Sequence, residues 1–115
     1  MHEMGIAMEI IKIATASIPP DIKDARVVQI NLQIGRLSAV IPSSLYFCFD
    51  IAAKDTPLAD AKLVIEEIPV EARCNDCNHR WYLDEPVFLC QKCQSSHLNI
   101  LSGRELNIKS IEIDS

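Results

Sequence analysis

The chain has 115 residues, 49% of them hydrophobic and 23% charged, with a formal net charge of −5. That length and apolar content suit one domain's worth of fold with a modest core, and three glycines with 5% aromatics exclude a fibrous or disordered chain. The acidic balance opposes nucleic-acid binding, because phosphate contacts need a basic face.

The elements follow from periodicity. From Glu3 to about Ser17, Met4, Ala7, Met8, Ile11 and Ala14 recur three and four apart, which predicts one face of a helix. Pro19 and Pro20 stop it. The stretch from Arg26 to Ile34 alternates, with Val28, Ile30, Leu32 and Ile34 opposite Gln29, Asn31 and Gln33, and reads as a strand with one wet side that ends at Gly35. A second helix is expected from Pro42 to about Lys54, burying Leu45, Phe49 and Ala52 or Ala53. Leu63, Val64 and Ile65 make a second strand that ends before Pro69. Glu105 to Ile113 makes a third, and its apolar phase changes between Ile108 and Ile111, which requires a bulge near Lys109 or Ser110.

Between the second and third strands stand Cys74-Asn-Asp-Cys77 and Cys90-Gln-Lys-Cys93, twelve residues apart. Two residues between ligands let a tight turn aim both sulfurs at one point, and the intervening stretch suits a short hairpin. Zinc is the first choice for four thiolates with no open position, with a rubredoxin-like iron as the alternative. Two disulfides would need an oxidising compartment, and two redox motifs would need a thioredoxin-like context that is not visible. Four bound thiolates and one divalent ion would take the formal charge from −5 to about −7. The predicted fold is α+β: two helices on a three-stranded sheet with an inserted zinc-knuckle domain built on the four cysteines. Its boundaries are 1–71 and 98–115 for the α+β domain and 72–97 for the insertion.

The other candidates each have a bland reading beside a chemical one. Met1 keeps its α-amine when the large His2 follows it, so the amine, the His2 amide and the imidazole can chelate nickel(II) or copper(II) in a plane, with Glu3 adjacent. Such binding would release protons and weaken at acidic pH. An idle, exposed terminus is the alternative. His79 reads as a polar residue on the knuckle surface, and His97 as that or a fourth nitrogen for an ion held at the N-terminus. Cys48 reads as a small buried hydrophobe. Trp81 and Tyr82 read as a shield for the metal rather than a base-stacking platform. There is no glycine-rich phosphate loop and no nucleophilic triad, so no enzyme is expected. The start lacks a basic segment before a long apolar run, and no stretch reaches membrane-span length, so neither export nor a membrane is expected. Reduced thiols then point to the cytoplasm.

Together, Met1-His2-Glu3, Ile34-Gly35-Arg36-Leu37-Ser38, Leu45-x-Phe47-x-Phe49, the two cysteine pairs and Gly103-Arg104-Glu105-Leu106-x-Ile108-x-Ser110-Ile111-Glu112 resemble the HypA/HybF nickel metallochaperones of hydrogenase maturation. The likeness covers nearly the whole chain. It implies nickel, as transferable cargo, at His2 with Glu3 and the Met1 amine, and structural zinc at Cys74, Cys77, Cys90 and Cys93. The domain of residues 1–71 and 98–115 would bind nickel and that of 72–97 zinc. The implied partners are a HypB-like GTPase, the hydrogenase large subunit precursor and, for some members, urease accessory proteins. One departure stands out: relatives often carry glycine after the second cysteine of a pair, where this chain has Asn78 and Gln94. The competing reading is a zinc-ribbon adaptor that binds protein or nucleic acid without transferring metal.

Overall fold

The computed structural model describes residues 2–114. In chain order the elements are α1 (Glu3–Ala16), β1 (Arg26–Gly35), α2 (Pro42–Ala52), β2 (Lys62–Ile68), β3 (Val70–Cys74), β4 (Arg80–Leu83), β5 (Leu98–Ser102) and β6 (Leu106–Asp114). They form two three-stranded sheets, ordered β2-β1-β6 and β4-β3-β5. Two compact units result: Met1–Gln33, Ala39–Glu66 and Asn107–Ser115 make the first, and Ile34–Ser38 with Glu67–Leu106 the second.

In the first unit α1 packs against α2. The buried stripe of α1 is Ala7, Ile10, Ile11 and Ala14. Met4 and Met8, expected inside from their spacing, are exposed, because the buried face is centred one residue further round, on Ile10. Leu45 and Phe49 of α2 and Ala53 beyond it are buried as expected, whereas Cys48 is only half-buried. Fully burying a side chain such as Phe49 or Leu45 contributes about 1.5–3 kcal/mol. The Tyr46 hydroxyl accepts the Ile65 N–H at 3.2 Å, which satisfies one donor on the edge strand β2.

The phase of β1 differs from strict alternation. Its buried apolar positions are Val27, Ile30, Leu32 and Ile34, while Val28 is exposed. The three-residue step from Val27 to Ile30 is the slip, and the Val27 N–H donates to the Pro57 carbonyl at 3.1 Å. In β6 the phase change falls where the sequence calls for one: the half-buried positions are Ile108, Ile111 and Ile113, with Lys109 and Ser110 both exposed between the first two. Asn31 donates to Ser110 Oγ at 2.8 Å and to Glu112 at 3.2 Å, and Gln33 donates to Glu66 at 3.1 Å. These amides form the wet face of the sheet.

The second unit has its own sheet and core. β3 runs antiparallel to β4, pairing Ala72 with Trp81, and antiparallel to β5, pairing Cys74 with Leu98. Val70, Ala72, Cys74, Trp81, Leu83 and Cys90 pack together, flanked by Leu98 and Ile100. The expected hairpin between the cysteine pairs is β4 with its following loop, but it pairs within a sheet of three strands. Pro69, which lacks an N–H, separates β2 from β3.

Gly35 leads the chain into the 34–38 turn. Its N–H donates to the Glu105 carbonyl at 2.7 Å, and the Leu37 N–H donates to the Gly103 carbonyl at 2.7 Å. A Cβ on Gly35 would fall inside the Gly103 carbonyl group, well within van der Waals contact. Gly103 itself sits at φ +113, a region open mainly to glycine. Gly35→Ala is therefore expected to destabilise the second unit by roughly 3 kcal/mol or more, measured as a shift of the denaturation midpoint.

Candidate metal centre

Two knuckles of like geometry carry the cysteines. The Cys74 N–H donates to the His79 carbonyl and the Cys90 N–H to the Ser95 carbonyl, each at 2.8 Å. The Asn78 N–H returns to the Cys74 carbonyl at 2.8 Å, and that of Gln94 to the Cys90 carbonyl at 3.0 Å. To close these turns Asn78 and Gln94 take φ values of 64° and 63°. Asparagine tolerates that left-handed region, but glutamine carries its full steric cost. Gln94→Gly is expected to stabilise the metal-loaded protein by about 1 kcal/mol, with a smaller gain for Asn78→Gly, read from denaturation midpoints.

The knuckles bring all four sulfurs within 4.8 Å of one another. Cys74 Sγ lies 3.6 Å from Cys93 Sγ, and Cys77 Sγ lies 3.5 Å from Cys90 Sγ. A tetrahedron with metal–sulfur bonds near 2.3 Å has edges of about 3.8 Å, so the quartet fits one such ion with small adjustment. Backbone donors are already aimed at the sulfurs: Asp76 N–H to Cys74 Sγ at 3.4 Å, and Lys92 and Cys93 N–H to Cys90 Sγ at 3.3 and 3.5 Å. They would stabilise thiolates. Cys74 and Cys90 are buried, and Cys77 and Cys93 face solvent.

The sulfurs compete for protons. Burial works upward on Cys90, but the Cys93 and Lys92 N–H groups and two neighbouring thiols outweigh it and bring its pKa down to about 6. For Cys93 the Ser95 N–H works downward, yet burial and the three other sulfurs push it up to about 12. For Cys77 the His79 N–H, helped by Cys93, works downward, yet burial and the Cys90 and Cys74 sulfurs outweigh them and raise it. Near neutral pH a metal therefore meets the Cys90 thiolate and must displace protons from Cys77 and Cys93. Calorimetry in buffers of different ionisation enthalpy should show proton release on metal uptake, and affinity should fall as pH drops through 6, where Cys90 also protonates.

His79 stacks on Trp81, with ring centroids 5.4 Å apart and planes at 11°. Trp81 is buried in the sulfur-bearing core, whereas Tyr82 is exposed and lies outside that core. His97 Nδ1 lies 3.3 Å from Asp76, which also accepts from the Ser95 hydroxyl, so a polar set on the surface of the second unit joins the two knuckles. The hydrogen bond from Ser95 is the main cause of the lowered pKa of Asp76. Of the Asp76–Ser95–His97 set only His97 was singled out from the sequence, where Asp76 stands 19 and 21 residues from the other two.

In the first unit His2 is the N-cap of α1. Its backbone is extended, its carbonyl accepts the Ile6 N–H at 3.2 Å, and its exposed side chain makes no capping bond. Glu3 occupies the first helical turn. Met1 lies outside the described residues.

The family model for hydrogenase/urease nickel incorporation, metallochaperone, hypA matches residues 1–113. The chain belongs to the HypA family. It is 55% identical over 113 residues to the hydrogenase maturation factor HypA of Desulfosudis oleivorans, covering 98% of each chain. With the HypA of Desulfatibacillum aliphaticivorans it shares 51% identity, over 98% of this chain and 87% of that one. The solution structure of the Ni metallochaperone HypA from Helicobacter pylori superposes with a TM-score of 0.65 at 26% identity, covering 97% of each chain. HypA proteins are maturation factors and not enzymes. The α+β fold with an inserted cysteine knuckle is the HypA fold. Among the described residues no helix is long and apolar enough to cross a membrane.

Proposed function

We propose that the chain is a nickel carrier with two dissimilar metal sites. Cys74, Cys77, Cys90 and Cys93 hold a resident zinc ion, which would neutralise part of the thiolate charge and lock the two knuckles together. Nickel is cargo, bound by His2 with the Met1 amine and Glu3. The functional boundaries are then 1–71 with 98–115 for nickel and 72–97, which contains every zinc ligand, for zinc. The carrier works in the cytoplasm, delivers nickel to the hydrogenase large subunit precursor with a HypB-like GTPase, and in some hosts serves urease accessory proteins.

The whole-chain match to a nickel-incorporation family carries this reading. The position of His2 supports it. A cation there faces the positive end of the α1 dipole, which opposes tight binding, while Glu3 in the first turn and a deprotonated amide favour it. The balance suits an ion that must leave again. Untagged protein should bind nickel at one site per chain beyond its zinc, with a dissociation constant on the order of micromolar. Mixing nickel-loaded protein with large subunit precursor and the GTPase should move nickel to the precursor. Nickel that stays on the carrier under these conditions would count against delivery.

A further inference from the structure

Between β4 and Cys90 the chain exposes three consecutive large apolar side chains: Val87 is 55% accessible, Phe88 42% and Leu89 43%. Such a run on a surface costs solubility unless something covers it. Their arrangement alternates. Val87, Leu89 and Gln91 face a hollow of about 350 Å³ whose other wall is Trp81 to Glu85, running along β4. Phe88 and Pro86 turn the other way, into a second hollow of about 250 Å³ beside Leu37 and Val70. The segment bends at Pro86 and Leu89 and belongs to no sheet, and β4 is an edge strand. The Val87 N–H is already taken by the Glu85 carbonyl at 2.7 Å, so it is the open edge of β4 that invites a further extended chain.

Charge selects the kind of chain. Asp84 and Glu85 border both hollows. Among the described residues neither is in an ion pair. Arg36 lines the second hollow, but among the described residues no cation lines the first, so two carboxylates beside its apolar wall favour a cationic occupant and repel phosphate, whether of nucleic acid or of an anionic bilayer. From this we infer that the slot between β4 and the segment 86–91 docks an extended peptide of a partner protein, with alternating apolar side chains and at least one Lys or Arg set against Asp84 and Glu85. The site is separate from the nickel ligands and stands whether or not nickel is carried.

The test pans a random twelve-residue peptide library on the zinc-loaded full chain, with counter-selection on two variants, Phe88→Ser and the double change Asp84→Asn, Glu85→Gln. Both variants lie outside the cysteine quartet and are checked for unchanged zinc content and circular dichroism. Enriched peptides should pair apolar alternation with a basic residue, bind each variant at least about tenfold more weakly, and protect the amides of 82–91 from exchange. Enrichment of neutral or acidic peptides, equal binding to the variants, or no enrichment overturns the proposal. So does a wild-type dimer that Phe88→Ser converts to monomer, which would make the occupant a second copy, or stronger retention on anionic than on neutral lipid vesicles.

Discussion

Nickel affinity should fall by about 100-fold or more in His2→Ala, since changing even the supports of a metal ligand costs 10- to 100-fold. Zinc content should not change. Acetylating the Met1 amine should do the same damage without touching the imidazole, because both nitrogens close chelate rings through the same backbone amide. Isothermal titration on untagged protein, with metal analysis before and after, reads both effects. Undiminished affinity in either form would remove the N-terminal site from the proposal. Glu3→Gln should be milder, because an adjacent carboxylate orients a ligand or adds charge at the helix start without being indispensable to the rings. The side chain of His2 makes no capping bond, so its loss should leave α1 and the thermal stability of the first unit nearly unchanged.

The second large effect lies in the other unit. Cys74→Ser should abolish stoichiometric zinc binding and unfold the second unit. Cys74 is fully buried at the end of β3, where its N–H and carbonyl close the first knuckle and its sulfur meets Cys93 at 3.6 Å. Structural zinc in small domains contributes on the order of 10–16 kcal/mol, far more than the packing of Trp81, Leu83 and their few neighbours can supply alone. Hydrogen exchange should show loss of protection at Asn78 and Gln94, and Trp81 fluorescence should shift to that of a solvated indole. Protection along α1, in the first unit, should persist. A Cys74→Ser protein that kept one tightly bound zinc and a buried Trp81 would contradict the assignment. Chelation of the wild-type protein should mimic the mutation, more readily at low pH because protons compete for the same sulfurs.

Much of the first unit was legible because its signals are long. Fourteen residues of α1 and ten of β1 average over local accidents, and Pro19 and Gly35 mark their ends, as Pro42 marks the start of α2 and Pro69 the end of β2. Apart from Cys48, which is half-buried rather than buried, the errors within it are of one kind. Val27 rather than Val28, and Ile10 rather than Met4 and Met8, lie inside. Adjacent apolar residues offer two phases, and only packing against the neighbouring element chooses between them. The phase change in β6 could be read in advance because Leu106, Ile108, Ile111 and Ile113 leave a single consistent solution. The second sheet was missed because β3, β4 and β5 have only four or five residues each, too few for alternation to stand out from chance.

The sequence by itself determined the ligand types and their order: two Cys-x2-Cys pairs, a histidine at position two and the family pattern around them. Local chemistry does this, since a two-residue spacing forces both sulfurs of a pair into one turn wherever the chain goes. Tertiary structure brings about the expected meeting of the two pairs, with all four sulfurs within 4.8 Å. The reason is that β3 and β5 pair so that Cys74 lies opposite Leu98, while Cys74 and Cys90 enter the core that Trp81 and Leu83 share. It also decided that Gln94 adopts a left-handed backbone, and that Val87, Phe88 and Leu89 remain uncovered. Sequence spacing encodes a turn, but closure of a four-cornered site and exposure of a loop depend on strand pairing across tens of residues, which no local pattern records.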